Sequence, residues 1–254
     1  MLHLTDPTAP GGPRLLHPRS LSLLDAHFAD RKAEDLLDYA LSGALGRIAL
    51  VSSFGAEAAV LLHMASRIDQ DVPVLILDTH LLFAETLAYQ SELAAHLGLG
   101  NLHILRAVTE QSDPDNSLHQ TDPDACCALR KTAPLTRALT QFDGWITGRK
   151  RAQSGTRASL QAVERDPDAG KVRLNPLFDW SPAQVAAYFD AHDLPRHPLV
   201  ARGFTSIGCA PCTTPTKPGE DPRAGRWRGR DKIECGIHFA NGKAIRNTRQ
   251  GNDQ

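Results

Sequence analysis

Five cysteines carry the strongest chemical signal in this 254-residue chain. Cys126 and Cys127 are adjacent, and Cys209-Ala210-Pro211-Cys212 sets a second pair on a CxxC turn far downstream. Four soft thiolates from two segments suit zinc or an iron–sulfur cluster. Adjacent residues on a helix diverge by about 100°, so their sulfurs converge poorly on one tetrahedral ion and better on a larger cluster with separated irons. A single buried cysteine is commonplace packing, but a pair plus a CxxC is not. The fifth, Cys235, stands in Lys232-Ile233-Glu234-Cys235-Gly236-Ile237-His238. Lys232 and His238 could lower its pKa and so favour the thiolate, which is the nucleophilic form.

Two further groups suggest an anionic ligand. Ser52-Ser53-Phe54-Gly55-Ala56-Glu57 is a small turn between an apolar run and a helical stretch. Such a turn offers backbone N–H groups and a positive helix end to an anion, although many turns of this kind serve packing alone. Positive charge recurs at Lys131, at Arg149-Lys150-Arg151, and at Arg223, Arg226, Arg228 and Arg230. Most such charge is simply solvated. Near a phosphate-type turn and a candidate thiolate, it matches a small, multiply charged anion.

The elements that must position these residues follow from periodicity. Ile48–Val51, Val72–Leu77, Leu102–Leu105 and Trp145–Thr147 read as buried strands, alternating with helical stretches. One amphipathic helix is predicted over 20–45, another carries Phe83, Leu87, Ala94 and Leu97 on one face, and Gly98 stops it. A further helix carries Cys126 and Cys127 and is perturbed at Pro134. Ser181-Pro182-Ala183-Gln184 is a capping box that opens a helix buried through Val185, Tyr188 and Phe189. Alternating strands and helices imply a mostly parallel α/β sheet covered on both faces, with ligands at the carboxyl strand ends. Ser53, Asp78, Arg106 and Gly148 fall at those ends. Residues 1–19 read as a loose arm and 194–254 as a loop-rich segment laid over the sheet.

A net charge of −1 argues against binding nucleic acid by bulk charge. No apolar run reaches the roughly 20 residues of a membrane helix, and the N-terminus lacks a signal-peptide pattern. A soluble cytoplasmic protein is therefore expected, with cysteines that serve chemistry rather than disulfides.

Taken in order, the motifs resemble the assimilatory sulfonucleotide reductases, in particular the cluster-containing bacterial adenylyl-sulfate (APS) reductases. The resemblance rests on Ser53-Phe54-Gly55-Ala56-Glu57, Leu77-Asp78-Thr79, Cys126-Cys127-Ala128-Leu129-Arg130-Lys131 and Trp145-Ile146-Thr147-Gly148-Arg149-Lys150-Arg151. It continues through Ser206-Ile207-Gly208-Cys209-Ala210-Pro211-Cys212-Thr213, Arg223-Ala224-Gly225-Arg226-Trp227 and Glu234-Cys235-Gly236-Ile237-His238.

The resemblance implies a Rossmann-like adenine nucleotide α-hydrolase fold and a [4Fe-4S] cluster on Cys126, Cys127, Cys209 and Cys212. It implies that Cys235 attacks the sulfur of APS, expels AMP and forms an S-sulfocysteine, from which reduced thioredoxin or glutaredoxin releases sulfite. Lys131, Arg223, Arg226 and His238 would bind the phosphosulfate, Ser53 and Gly55 the nucleotide, and Gly148 with Arg149 would line the cleft. The resemblance also implies a division into an α/β domain at 20–218 and a mobile tail at 219–254, hinged among Gly219, Gly225 and Gly229. One departure stands out: Asp78-Thr79 is followed by His80 where the family pattern has glycine. Three other readings are tenable: use of the 3′-phosphorylated substrate (PAPS), an ATP-dependent sulfur transferase, and a zinc-stabilised RNA-binding module. The transferase usually carries Ser-Gly-Gly-x-Asp-Ser in the turn, which Ser53–Glu57 lacks. Oligomeric state is left open between monomer and homo-oligomer.

Overall fold

The computed structural model describes residues 17–166, 170–232 and 234–235. Six strands form one sheet: β1 (Ile48–Ser52), β2 (Val74–Leu77), β3 (Leu102–Leu105), β4 (Gly144–Thr147), β5 (Val163–Arg165) and β6 (Val172–Leu174). Their order is β3-β2-β1-β4-β6-β5, and all neighbours run parallel except β5 against β6. This is the mostly parallel sheet that the alternation of apolar runs predicts. Eight α-helices accompany it among the described residues: α1 (Pro18–Phe28), α2 (Ala33–Leu41), α3 (Ala58–Ile68), α4 (Ala84–Leu97), α5 (Leu118–Thr121), α6 (Pro123–Cys127), α7 (Ala133–Leu139) and α8 (Pro182–Ala191).

Successive strand residues point to opposite faces, and both faces are buried here. Leu50, Ile76, Ile146 and Leu174 join one core with side chains of α1, α2, α3, α4 and α8. Ala49, Leu75 and Trp145 pack on the other face against Leu135, Leu139 and Phe142, in and just after α7. Gly144 lets β4 and β6 approach, because a Cβ there would lie 2.7 Å from the Val172 carbonyl oxygen. No helix among the described residues is long and apolar enough to cross a membrane.

Three local expectations need correction, and one pair of strands is new. The helix predicted over 20–45 is two helices, because the Asp35 carboxylate accepts the Lys32 N–H and opens α2 anew. Pro18 already opens α1, so what is described of the predicted N-terminal arm is partly helix; residues 1–16 lie outside the described chain. In α4 the buried face is Thr86, Tyr89, Gln90, Leu93, Ala94 and Leu97, whereas Leu87 is exposed. Phe83 sits in extended backbone at the helix boundary, so its side chain does not start the helical stripe. The β5–β6 pair was not anticipated, since Val163-Glu164-Arg165 and Val172-Arg173-Leu174 are too short and too polar to signal strands.

Register brings the functional turns together. Val51 pairs with Leu75 on one side and Thr147 on the other, so the residues after β1, β2 and β4 emerge at one end of the sheet. Asp78 ties β2 to β3 there by accepting from Arg106 Nε at 2.8 Å.

Candidate active site

A cavity of about 450 Å³ opens at that carboxyl end. Its walls are the turns after β1 and β4, the 204–209 segment, and the tail at 222–235. The first turn is tightly built: Phe54, fully buried, has φ 48°, and its N–H donates to Ser52 Oγ at 3.1 Å. A buried aromatic in the left-handed region carries strain of the kind that gathers at functional turns. Ser53 and Gly55 line the cavity, and a Cβ on Gly55 would press to 3.3 Å of the Ile207 carbonyl oxygen.

Beside it lies a smaller cavity lined by all four paired cysteines, Cys126, Cys127, Cys209 and Cys212. Thr79, Lys131 and Cys209 border both cavities and so form the wall between them. The cysteine pair ends α6, and the chain then takes one π-helical turn over Ala128–Thr132 before α7, with the Ala133 N–H bonded to the Ala128 carbonyl. Pro134 has no N–H to continue an α-helical ladder at this point, which accommodates the change of pitch. The wider turn carries Arg130 and Lys131. Arg130, 2% exposed, donates to the Thr79 carbonyl at 2.9 Å and to Asp113 at 2.6 Å, pinning the loops after β2 and β3. Lys131, 9% exposed, borders the sulfurs.

Electrostatics differ across the quartet. Burial pushes the Cys126 thiol up to about 11, reinforced by Cys127. Burial works against the Cys209 thiolate too, but the Lys131 ammonium and the Thr79 hydroxyl, 3.3 Å from its sulfur, outweigh it and hold its pKa down. Burial likewise disfavours charge on Lys131, yet the sulfurs of Cys209, Cys235 and Cys127 keep it firmly protonated. All five cysteines are free thiols. Among the described residues no three His, Cys, Asp or Glu gather as they would around a single metal ion. The donor set itself, four thiols around one cavity, is of the kind that holds iron–sulfur clusters.

The tail is laid across this region. The Trp227 backbone N–H donates to the Cys212 carbonyl at 2.9 Å, and Lys232 Nζ binds the Pro123 carbonyl and Asp124, at 2.9 and 2.7 Å. Cys235, 8% exposed, packs with Trp227 and Cys127, so the fifth cysteine sits beside the quartet and lines the large cavity. Glu234, 0% exposed, accepts from Arg157 Nε at 2.9 Å and Nη2 at 3.0 Å, and from Arg223 Nη2 at 2.8 Å. Neither Arg157 nor Glu234 was singled out as a functional residue from the sequence. Adjacency to Cys235 was a signal for Glu234; Arg157 offered none.

The anticipated cations fall into two groups. Lys131, Arg223 and Arg226 all line the cavity. The Arg226 guanidinium lies 4.5 Å from the Trp227 ring centroid, with Nε buried and unpartnered, and rests on Gly208, where a Cβ would meet Nη2 at 2.2 Å. Gly148 and Arg149 also line the wall, but Arg149 turns its guanidinium to Glu164 at 2.5 Å and Asn175 at 3.0 Å. Burial and the nearby Arg173 push it down to about 10. His238 lies outside the described residues.

Residues 47–215 match the phosphoadenosine phosphosulfate reductase domain. The chain belongs to the phosphoadenosine phosphosulfate reductase family. The adenosine 5′-phosphosulfate reductase of Chelativorans sp. (strain BNC1) is 47% identical over 229 residues, covering 88% of this chain and 93% of that protein. The phosphoadenosine 5′-phosphosulfate reductase of Gloeobacter violaceus is 40% identical, covering 86% and 93%. A crystal structure of phosphoadenylyl-sulfate reductase from Candida auris, in a phosphate complex, superposes with a TM-score of 0.69 at 25% identity, covering 78% of this chain and 98% of that one.

Within this reductase family pattern, His80 acquires a physical account. It has φ 59°, the left-handed conformation that glycine adopts freely, and its N–H donates to Asp78 Oδ1 at 3.0 Å. His80 thus holds a backbone conformation that favours glycine and bears its cost.

Proposed function

We propose that the protein is a thioredoxin-dependent adenylyl-sulfate reductase that converts APS to sulfite and AMP. The observation that carries this reading is the convergence of Cys235, Lys131 and Arg226 on one cavity at the carboxyl ends of the strands. The Cys235 thiolate attacks the sulfur of the sulfuryl group, forming an S–S bond as the S–O bond to the AMP phosphate breaks. The electron pair leaves on that phosphate. Lys131, Arg223 and Arg226 are preplaced cations, able to stabilise charge that grows on the departing oxygen as well as to bind the substrate. A dithiol reductant, thioredoxin or glutaredoxin, then attacks the Cys235 sulfur, expels sulfite and is itself oxidised to a disulfide. Ser53, Gly55 and Gly148 line the nucleotide portion, with Arg149 holding the β4 turn; the family resemblance assigns a further anion contact to His238, which lies outside the described residues. Because Cys235 must meet both nucleotide and reductant, the described segment from Gly219 to Cys235 is expected to move.

Cys126, Cys127, Cys209 and Cys212 would hold a [4Fe-4S] cluster. When bound, it would cross-link the two cysteine-bearing segments and set a charged group against the Lys131 wall. The protein would act in the cytoplasm, in sulfate assimilation for cysteine biosynthesis.

The relative named for the 3′-phosphorylated substrate keeps a second reading alive, PAPS reduction or dual use. The test is sulfite release by anaerobically purified protein with reduced thioredoxin, offering APS and PAPS at equal concentration. Strong preference for APS is expected. Comparable or better use of PAPS would overturn the substrate assignment, and no sulfite from either would overturn the reaction.

A further inference from the structure

We propose that Glu234 is a positioning residue: its carboxylate holds the seat between Arg157 and Arg223, and so keeps Cys235 at the cation-lined end of the cavity. Both guanidiniums also line the cavity, within reach of an anion bound there, so seating the thiol and binding a nucleotide anion would compete for them. This rests on the reductase reading of the site.

The geometry is specific. Arg157 lies in the short helical turn Gly155–Arg157, in the connection after β4, and grips both carboxylate oxygens. Arg223 belongs to the tail and takes Oε2 as well. Both oxygens are used, the carboxylate is fully buried, and all three groups line the cavity. Consecutive Cα atoms are about 3.8 Å apart, so fixing Glu234 confines the neighbouring thiol to a few ångströms. Upstream, Lys232 is fixed to the α6 start through Pro123 and Asp124. Cys235 therefore follows two anchored side chains, one on each wall.

A charge is needed in this seat. An amide in place of the carboxylate can accept on one oxygen only, and it removes the negative charge that Glu234 sets between the Arg157 and Arg223 guanidiniums. Those guanidiniums then favour any other anion that reaches them. Removing the charge should thus loosen the thiol and tighten nucleotide binding together, whereas a merely structural lesion would weaken both.

The experiment compares wild type, Glu234→Gln and Glu234→Asp as full-length, cluster-loaded enzyme. AMP affinity is measured by calorimetry, Cys235 alkylation by iodoacetamide through peptide mass spectrometry, and turnover with APS. Glu234→Gln is expected to bind AMP about tenfold tighter. Its Cys235 should alkylate severalfold faster without nucleotide, and kcat should fall while KM does not rise. Glu234→Asp, which keeps the charge, should return AMP affinity toward the wild-type value. Unchanged or weaker AMP binding in Glu234→Gln would overturn the proposal, as would an unchanged alkylation rate. If that variant does not fold, Arg157→Lys replaces it: a single ammonium loses the fork, so faster Cys235 alkylation is expected and an unchanged rate refutes. AMP binding and alkylation are read without turnover, so a wild type that releases no sulfite would fail the reductase reading without deciding this one.

Discussion

His197 offers a quantitative test of how the cavity wall is held. It is 1% exposed. Nδ1 accepts the Leu199 N–H at 3.2 Å, which starts the helical turn Pro198–Arg202, and Nε2 lies 3.0 Å from Thr86 Oγ1. With Nδ1 accepting, the proton resides on Nε2, and the ring is neutral. Protonating Nδ1 would remove the cap, point a proton at the Leu199 N–H, and bury a charge beside the Tyr89 ring, 4.9 Å away. Burial accordingly pushes the His197 pKa down to about 4, against a small opposing pull from Glu85.

An unfolded histidine titrates near 6.5. Between those values the unfolded chain binds the extra proton, so this stability is complete above pH 6.5 and is lost progressively as pH falls toward 4. Each unit in that window costs about 1.4 kcal/mol, which gives about 2 kcal/mol by pH 5. For a chain of this length that is a drop in Tm of roughly 4–8 °C. The assay is thermal unfolding of wild type and His197→Gln from pH 7.5 to pH 5. The amide keeps an acceptor and a donor but does not titrate, so wild type should lose this increment relative to the variant. Parallel curves would mean that His197 is not a buried neutral ring, and the reasoning would fall with it.

Two other outcomes follow from the site. A Cβ on Gly225 would lie 2.0 Å from the Thr214 carbonyl oxygen, where Thr214 N–H donates to the Gly225 carbonyl at 2.8 Å. Gly225→Ala should cost about 1–3 kcal/mol and raise KM for APS by displacing Arg226 and Trp227. Gly155→Ala, with open space around it, serves as the control; equal effects from both would remove the steric argument. Cys235→Ser should keep AMP binding, measured by calorimetry, and lose sulfite formation; turnover within tenfold of wild type would exclude Cys235 as the nucleophile.

Much of the site was legible in the chain because its signals are local. A CxxC turn, an adjacent cysteine pair, and apolar runs that end in small turns are each contained within a few residues. Their order along the chain then identified the family before any coordinate. The capping box at Ser181–Gln184 was likewise read directly, and Ser181 Oγ accepts the Gln184 N–H at 3.2 Å. Other features resist such reading. The β5–β6 pair has too few apolar residues to mark itself, and the break between α1 and α2 depends on one carboxylate reaching back to Lys32.

What the sequence by itself determined was the mostly parallel α/β architecture and the chemical inventory, because periodicity, turn residues and thiol spacing are properties of short segments. Only the tertiary structure decided which cations meet an anion. Arg149 and Arg226 are equally basic in the sequence, yet one is spent on Glu164 and Asn175 while the other rests on Gly208 at the cavity. Arg157 and Glu234, separated by 77 positions, become a buried pair only when the tail folds back over the sheet end. Charge in water is weakly committed to any partner, and burial makes the choice, because an ion removed from solvent must find its counter-charge in the fold.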